Sequence, residues 1–215
     1  MESRVKEKGI LFNVEMAQAI LSGRKTQTRR IIKVQPQVTE QRLRELGAWQ
    51  DGFNLSQQVN AAFQAGFIDV SCPLGKPGDQ LWVRECFRVH SRATDVATLV
   101  YRASERHSWT EQTRRVPVSD CNRPVSPDKW TPSLHMPRWA SRINLLITGV
   151  RVERLNTIST GDAMAEGYPA ECEATGGSLD AWLWFRELWD GIYPDNTFEV
   201  NPWCWVIEFE RMEAK

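Results

Sequence analysis

A cluster of basic and hydroxyl side chains is the first place in this sequence where chemistry is expected. Residues 23–30 read Gly-Arg-Lys-Thr-Gln-Thr-Arg-Arg, so four cations and two hydroxyls lie within eight residues. A hydroxyl is a poor nucleophile at neutral pH unless a nearby base takes its proton. Lys25 is the candidate base, because burial and the neighbouring arginines would lower its pKa. Thr28 is the hydroxyl that this base would activate.

This chemistry places a condition on the backbone. Side chains three residues apart face opposite sides of a regular strand, so Lys25 and Thr28 can cooperate only across a turn or an irregular stretch. A third candidate, Glu166, lies at the end of a predicted helix, where the helix dipole disfavours the ionised carboxylate and favours a proton held for a leaving group. The three residues form a possible acyl-transfer set, although the sequence alone does not bring them together. The alternative is a solvated charged loop after a helix.

Two further groups of side chains are candidates for binding. Arg84 and Glu85 end a predicted central strand, where they would stand at a pocket mouth or form an ordinary structural ion pair. His135, Arg138 and Trp139 combine a donor, a cation and a stacking surface, which suits single-stranded bases. The alternative for Trp139 is that it anchors a loop on the core.

Composition limits the classes of function. The 215 residues contain 27 Lys plus Arg and 27 Asp plus Glu, so a nucleic-acid site has to be a local patch. Five cysteines without a Cys-x-x-Cys pair and three scattered histidines argue against a zinc site, and no cofactor is predicted. The sequence has no apolar signal core and no window long enough to span a membrane. A cytoplasmic protein with reduced thiols is therefore expected.

Hydrophobic periodicity and turn residues predict mixed secondary structure in one domain. Helices are predicted at residues 14–22, 39–46, 56–63, 159–166 and 178–190. Strands are predicted at residues 10–12, 28–34, 81–89, 98–101, 141–154 and 203–209. Residues 102–128 are predicted to form a long polar loop.

Several of these segments resemble a known family. A helix followed by residues 23–30 resembles the signature of the ASCH domain, a relative of the PUA domain. The Gly-Asp-Gln-Leu-Trp-Val-Arg-Glu of residues 78–85, the Asp-Ala-Met-Ala-Glu-Gly of residues 162–167 and the strand at 203–209 resemble further ASCH segments. The whole layout is similar to the long ASCH proteins of phages and prophages. The resemblance implies an α+β fold over residues 1–215, a small mixed or antiparallel PUA-like β-barrel with helices outside and insertions at about 35–77 and 102–140.

The same resemblance implies a function. ASCH domains bind RNA or modified nucleosides, and some small members are amidohydrolases that remove the acetyl group from N4-acetylcytidine. Their catalytic lysine, threonine and glutamate match Lys25, Thr28 and Glu166. The present chain is about twice as long as those enzymes, so its insertions would close the pocket or change the substrate.

Two alternatives stay open. In one, the protein is a non-catalytic RNA-binding module, with phosphates held by Arg24, Lys25, Arg29 and Arg30 and bases stacked on tryptophans. In the other, it is a phage assembly or interaction protein whose pocket is vestigial.

Overall fold

The computed structural model describes residues 5–68, 70–169 and 180–213. Its strands are β1 (Glu7–Leu11), β2 (Gln27–Ile31), β3 (Gln80–Arg84), β4 (Phe87–Arg92), β5 (Val96–Tyr101), β6 (Thr113–Pro117), β7 (Asn144–Arg154) and β8 (Trp203–Arg211). Its helices are α1 (Val14–Leu21), α2 (Glu40–Glu45), α3 (Leu55–Gln64), α4 (Trp109–Gln112), α5 (Thr160–Ala165) and α6 (Asp180–Ile192). The chain is therefore an α+β protein, as predicted.

The chain divides into two compact units. The first contains Met1–Gly23, Gly78–Leu146 and Glu210–Lys215, and the second contains Arg24–Pro77 and Ile147–Phe209. The single domain over residues 1–215, with insertions at 35–77 and 102–140, stays a prediction. The described strands form two sheets, and no closed barrel is found within the described ranges. None of the described helices is long and apolar enough to cross a membrane.

In the first unit, two sets of strands meet around residue 85. Strand β1 pairs in parallel with β3, and β3 pairs antiparallel with the first residues of β7. Strands β4, β5 and β6 form an antiparallel sheet in that order. The strand predicted at 81–89 was wrong in its continuity, because β3 and β4 belong to different sheets. The buried Glu85 lies between them and binds Arg142.

The predicted long loop at 102–128 is also corrected. This segment contains the short helix α4 and strand β6. Only one side chain of β6, Val116, is buried against the core cluster of Phe87, Leu99 and Tyr101. A strand with a single buried residue has almost no alternating pattern, which explains why its sequence looked like loop.

The second unit carries β2, β8 and most of β7, covered on one face by helices. Strand β2 pairs antiparallel with β8. A core cluster on this face joins residues of α5 and α6 to the sheet, namely Leu155, Ile158, Ala163, Tyr168, Ala181, Phe185, Trp189, Phe198 and Cys204. On the opposite face the ring of Phe63, from α3, packs edge-on against Trp205 at 5.2 Å. Strand β2 thus has one face towards α5 and α6 and another towards α3.

Candidate functional site

The candidate site is a buried ion-pair network in the second unit. The backbones of Lys25 and Glu166 form an antiparallel bridge. The Lys25 Nζ donates to the Glu166 Oε2 at 2.7 Å and to the Glu166 carbonyl oxygen at 2.8 Å. Lys25 is 2% exposed and Glu166 is 4% exposed. Two of the three predicted catalytic residues are therefore in direct contact, away from solvent.

Local sequence explains how Glu166 reaches this position. Helix α5 begins after Ser159, whose hydroxyl accepts from the Asp162 N–H while the Asp162 carboxylate accepts from Ser159 in return. Such a capping box fixes the first turn of a helix. The helix ends with Glu166 as its C-cap, and Gly167 follows with a φ of +105°, a conformation that favours glycine. A short helix closed at both ends thus holds Glu166 beside the edge of β2.

Arg29 joins the pair from the same face of β2. Its Nη1 lies 3.2 Å from the Glu166 Oε1, and its Nη2 lies 3.1 Å from the Glu153 Oε2. Its guanidinium also stacks on the Phe185 ring at 5.8 Å. The Glu166 carboxylate is therefore held between two buried cations.

A second group of charges surrounds this centre. The guanidinium of Arg151 contacts Glu153 at 2.7 Å, Asp162 at 2.7 Å and the carboxylate of Glu208. Burial raises the pKa of Asp162, but hydrogen bonds from Ser159 and the charges of Arg29 and Arg151 lower it by more, so its pKa lies below the usual value. Arg151 and Glu153 were not among the predicted site residues. The sequence indicates them only through their spacing of two residues in β7, which places both side chains on the same face of the sheet. Arg29 contacts Glu153 on that face.

Burial changes the acid–base character of Lys25. Transfer of the ammonium out of water lowers its pKa, and the attraction of Glu166 raises the pKa by less. The positive charges of Arg30 and Arg29 lower it further. The net pKa is below the ordinary 10.5, so the neutral amine is more populated near neutral pH than for an exposed lysine. A neutral amine can accept a proton, which an ammonium cannot.

Thr28 is placed differently from the other two predicted catalytic residues. Lys25 forms an isolated bridge just before β2, which begins at Gln27. Within β2, however, Gln27 and Arg29 both contact residues of α5 or its C-cap, so the intervening Thr28 faces the other side of the sheet, opposite Ile207. In the described part of the chain, no hydrogen bond joins the buried Thr28 hydroxyl to Lys25 or Glu166.

The basic segment is not a solvated loop. Arg24 donates to the carbonyl oxygens of Gly167 and Tyr168 at 3.2 and 2.8 Å. Lys25 and Arg29 are buried in ion pairs, and Arg30 is half-buried. The alternative in which these four cations hold RNA phosphates is therefore corrected for Lys25 and Arg29, whose charges are already neutralised inside the protein.

The predicted binding residues of the first unit do not converge. Both carboxylate oxygens of Glu85 accept from Arg142, at 2.9 and 3.0 Å, so Glu85 is a buried structural partner. Arg84 instead stacks on the Trp82 ring at 5.1 Å. This arrangement does not place the pair at a pocket mouth.

The group at residues 135–139 also separates. Arg138 pairs with Glu7 at 3.0 Å, and the Trp139 ring packs edge-on against Phe87 at 6.2 Å. Trp139 therefore anchors its segment on the core, which was the alternative interpretation. His135 lines a cleft and is considered below. Within the described ranges, no group of three or more His, Cys, Asp or Glu side chains is arranged to hold a metal ion.

Comparisons with known proteins add little to this geometry. No family model and no curated protein sequence matches the chain. A crystal structure of a protein from Enterococcus faecalis V583, described by the family model DUF984, is similar with a TM-score of 0.40 and 11% sequence identity. The similarity covers 99% of this chain and 83% of that chain.

Proposed function

We propose that this protein hydrolyses the amide bond of an N4-acylated cytidine, free or within RNA. The ASCH resemblance of the sequence suggests this substrate, and the buried contact between Lys25 and Glu166 is the observation that supports the chemistry. Amide hydrolysis at neutral pH needs a group that takes a proton from the attacking oxygen and returns one to the departing nitrogen. A desolvated lysine with a lowered pKa has both abilities. We also propose, from the same resemblance, that the fold is of the PUA-like type. A cytoplasmic location is proposed with it.

In the proposed reaction, Lys25 handles the proton. Its neutral amine takes a proton from the attacking hydroxyl as the oxygen bonds to the acyl carbon. The resulting ammonium is stabilised by Glu166 and then gives the proton to the exocyclic nitrogen as the carbon–nitrogen bond breaks. With water as the attacking group, the products are the free acid and cytidine. Arg29 holds Glu166 in place through its contact at 3.2 Å.

The attacking group is where the resemblance and the structure differ. The resemblance assigns the attack to Thr28, which requires its hydroxyl within reach of Lys25. Strand alternation turns Thr28 to the opposite face of β2. We therefore assign the attack to a water molecule, without a covalent acyl-enzyme, and assign Thr28 a structural role in packing against β8.

The test is an assay of N4-acetylcytidine with chromatographic separation of cytidine. Wild type is expected to release cytidine, and Lys25→Ala is expected to lower turnover by several orders of magnitude, as removal of an essential proton-transfer group does. Thr28→Ala is expected to retain activity close to that of Thr26→Ala, the matched change at an exposed neighbouring hydroxyl. Circular dichroism controls for folding.

Two results would contradict parts of the proposal separately. A wild type that deacylates no acylated cytidine, offered as nucleoside or as oligonucleotide, would exclude the hydrolase function. Full loss of turnover in Thr28→Ala, with Thr26→Ala unaffected and both variants folded, would restore Thr28 as the nucleophile.

A further inference from the structure

The first unit contains a cleft whose lining residues are not part of the Lys25 network. Its volume is about 470 Å³, and its walls include Val89 of β4 and side chains from residues 123–135. Pockets that hold small ligands fall in the range of roughly 300–1,000 Å³. The cleft is therefore large enough for a ligand of the size of one nucleotide.

The charge of the cleft walls is of one sign. Arg123, Lys129 and His135 line it, and none of the lining residues is a carboxylate. Among the described residues, neither Arg123 nor Lys129 forms an ion pair, in contrast to Arg29, Arg142 and Arg151. The Arg123 Nη2 donates to the His135 carbonyl oxygen at 2.8 Å, which fixes its guanidinium. Cations without carboxylate partners favour an anionic ligand.

An aromatic ring stands in the same cleft. The indole of Trp130 is half-buried and lines the wall, and the Arg88 guanidinium lies 5.1 Å from its ring centroid. Pro124 and Pro132 extend this apolar part of the wall. A ring held in this way offers a stacking surface, which every nucleobase can use.

The backbone of the cleft is built into the sheet of β4. The Thr131 N–H donates to the Phe87 carbonyl oxygen at 2.8 Å, and the Phe87 N–H donates in return at 3.2 Å. The Ser126 N–H donates to the Val89 carbonyl oxygen at 2.9 Å. These bonds fix the segment before a ligand arrives, so less conformational freedom is lost on binding.

From these observations we propose that the cleft of the first unit binds one nucleotide. Its phosphate lies against Arg123 and Lys129, and its base stacks on Trp130. A bidentate guanidinium fits a phosphate, and a flat apolar wall fits a base better than it fits the flexible side chain of an acidic peptide. The nucleotide comes either as a free monophosphate or as one residue of a single strand.

The experiment measures binding to the full-length protein by fluorescence anisotropy. The probe is a labelled single-stranded oligouridylate of eight nucleotides, at two salt concentrations, with uridine 5′-monophosphate and oligoglutamate as competitors. Arg123→Gln and Lys129→Gln are compared with Arg106→Gln, which removes one exposed positive charge of the same unit outside the cleft. Trp130→Leu removes the stacking ring but keeps an apolar side chain, and circular dichroism checks its fold.

The expected result is weaker binding in the cleft variants alone. Trp130→Leu should lower affinity about fivefold or more, which is typical of a lost stacking contact. Lys129→Gln should weaken binding and reduce the slope of log affinity against log salt by about one. If uridine 5′-monophosphate displaces the labelled probe at the same concentration as unlabelled oligouridylate does, the ligand is a free nucleotide. If only unlabelled oligouridylate displaces the probe, the ligand is a single strand.

Three outcomes would overturn the inference. They are absence of binding to the labelled oligouridylate, equal weakening by Arg106→Gln and Lys129→Gln, and equal displacement by oligoglutamate and by the nucleotide competitor. None of these outcomes bears on the proposed hydrolysis, because the proposed reaction assigns no role to Arg123, Lys129 or Trp130. Conversely, a protein that releases no cytidine can still bind the oligonucleotide here.

Discussion

Lys25 is a costly residue to bury, and its neighbours make that burial tolerable. An ammonium moved out of water loses several kcal/mol of hydration, which only a well-placed counter-charge and further hydrogen bonds offset. Lys25 has both, in the carboxylate and the carbonyl oxygen of Glu166. Such an arrangement adds little net stability compared with an apolar core, so a role in proton transfer is a physical reason for its presence.

The dependence of this pair on both members gives a stability prediction. Glu166→Gln should lower the free energy of unfolding by about 3–5 kcal/mol, because Lys25 would stay buried without its carboxylate. Urea unfolding followed by circular dichroism measures the change. Glu187→Gln, which removes an exposed carboxylate of α6, should change it by less than about 0.5 kcal/mol.

The double variant Lys25→Met, Glu166→Gln then separates charge from packing. It should regain part of the stability lost in Glu166→Gln, because no unpaired ammonium is left in the interior. A double variant less stable than Glu166→Gln would show that the pair stabilises the fold through more than mutual neutralisation.

The lowered pKa of Lys25 predicts the pH dependence of the proposed hydrolysis. The reaction needs the neutral amine, so kcat/KM should rise with pH and level off above a pKa that lies below 10.5. Lys25→Arg should remove this rise, because a guanidinium stays protonated throughout the range. Lys33→Arg, at an exposed lysine of the same unit, is the control and should leave the profile unchanged. A wild-type profile that falls with rising pH would contradict the role of Lys25 as a base.

The free energy of unfolding also depends on pH through the titration of Lys25, and the direction of this dependence is defined. Between the lowered pKa of folded Lys25 and the ordinary value of the unfolded chain, the unfolded state binds more protons. The contribution of Lys25 to the free energy of unfolding therefore increases with pH through that window, and it is smallest below the lowered pKa. The buried ammonium is thus tolerated least under acidic conditions.

At the scale of elements, the sequence predicted helices better than strands. The helices expected at 39–46, 56–63 and 159–166 are present within two residues at each end, because Thr39, Asn54 and Ser159 cap them through their side chains. The helix expected at 178–190 is described from Asp180 to Ile192, and residues 178–179 lie outside the described residues. Capping residues and the 3.6-residue period are local signals, so one sequence is sufficient to find them.

Strand limits and strand partners are not local in this sense. The run from Leu81 to Val89 contains no turn residue such as Gly, Pro, Asn or Asp, yet the chain leaves one sheet and enters another at Glu85. Lys25 and Glu166 are 141 positions apart in the sequence, and a backbone bridge brings them together. Only the family resemblance suggested this contact. Arg29 was predicted as a phosphate ligand because arginine side chains are mostly exposed. Its burial depends on tertiary packing, which one sequence does not show.

Helix α5 gives a test at this scale, because its first turn carries Asp162 and its end carries Glu166. Ser159→Ala removes the side-chain oxygen that accepts from the Asp162 N–H at 3.0 Å, and it should cost about 1 kcal/mol of stability. Ser119→Ala, at an exposed turn serine, is the matched control. Ser159→Thr, which keeps both the capping oxygen and the hydroxyl that donates to Asp162, should restore most of the loss. A loss of the same size in Ser119→Ala would contradict the capping argument.

For the whole molecule, charge balance is the property that the sequence states most directly. Equal numbers of acidic and basic residues, 27 each, leave no net field to attract nucleic acid over long distances. Many of the cations are already bound to carboxylates, as the Lys25 network and the Glu85–Arg142 pair show. Any attraction of a polyanion therefore has to come from local groups such as Arg123 and Lys129.

The same balance predicts the solution behaviour of the protein. Solubility should be lowest near pH 6.8, the isoelectric point of the sequence, because molecules without net charge repel one another least. The effect should be reinforced by apolar side chains on the surface of the second unit, of which Phe67 is 86% exposed and Leu46 is 61% exposed. Precipitation by polyethylene glycol at pH 5.5, 6.8 and 8.5 measures this.

Phe67→Lys should raise solubility at pH 6.8, since it removes an apolar side chain and adds one charge. Lys33→Gln, at an exposed lysine, also changes the net charge by one but keeps Phe67. If it raises solubility by the same amount, the surface contribution of Phe67 is excluded and net charge alone accounts for the minimum.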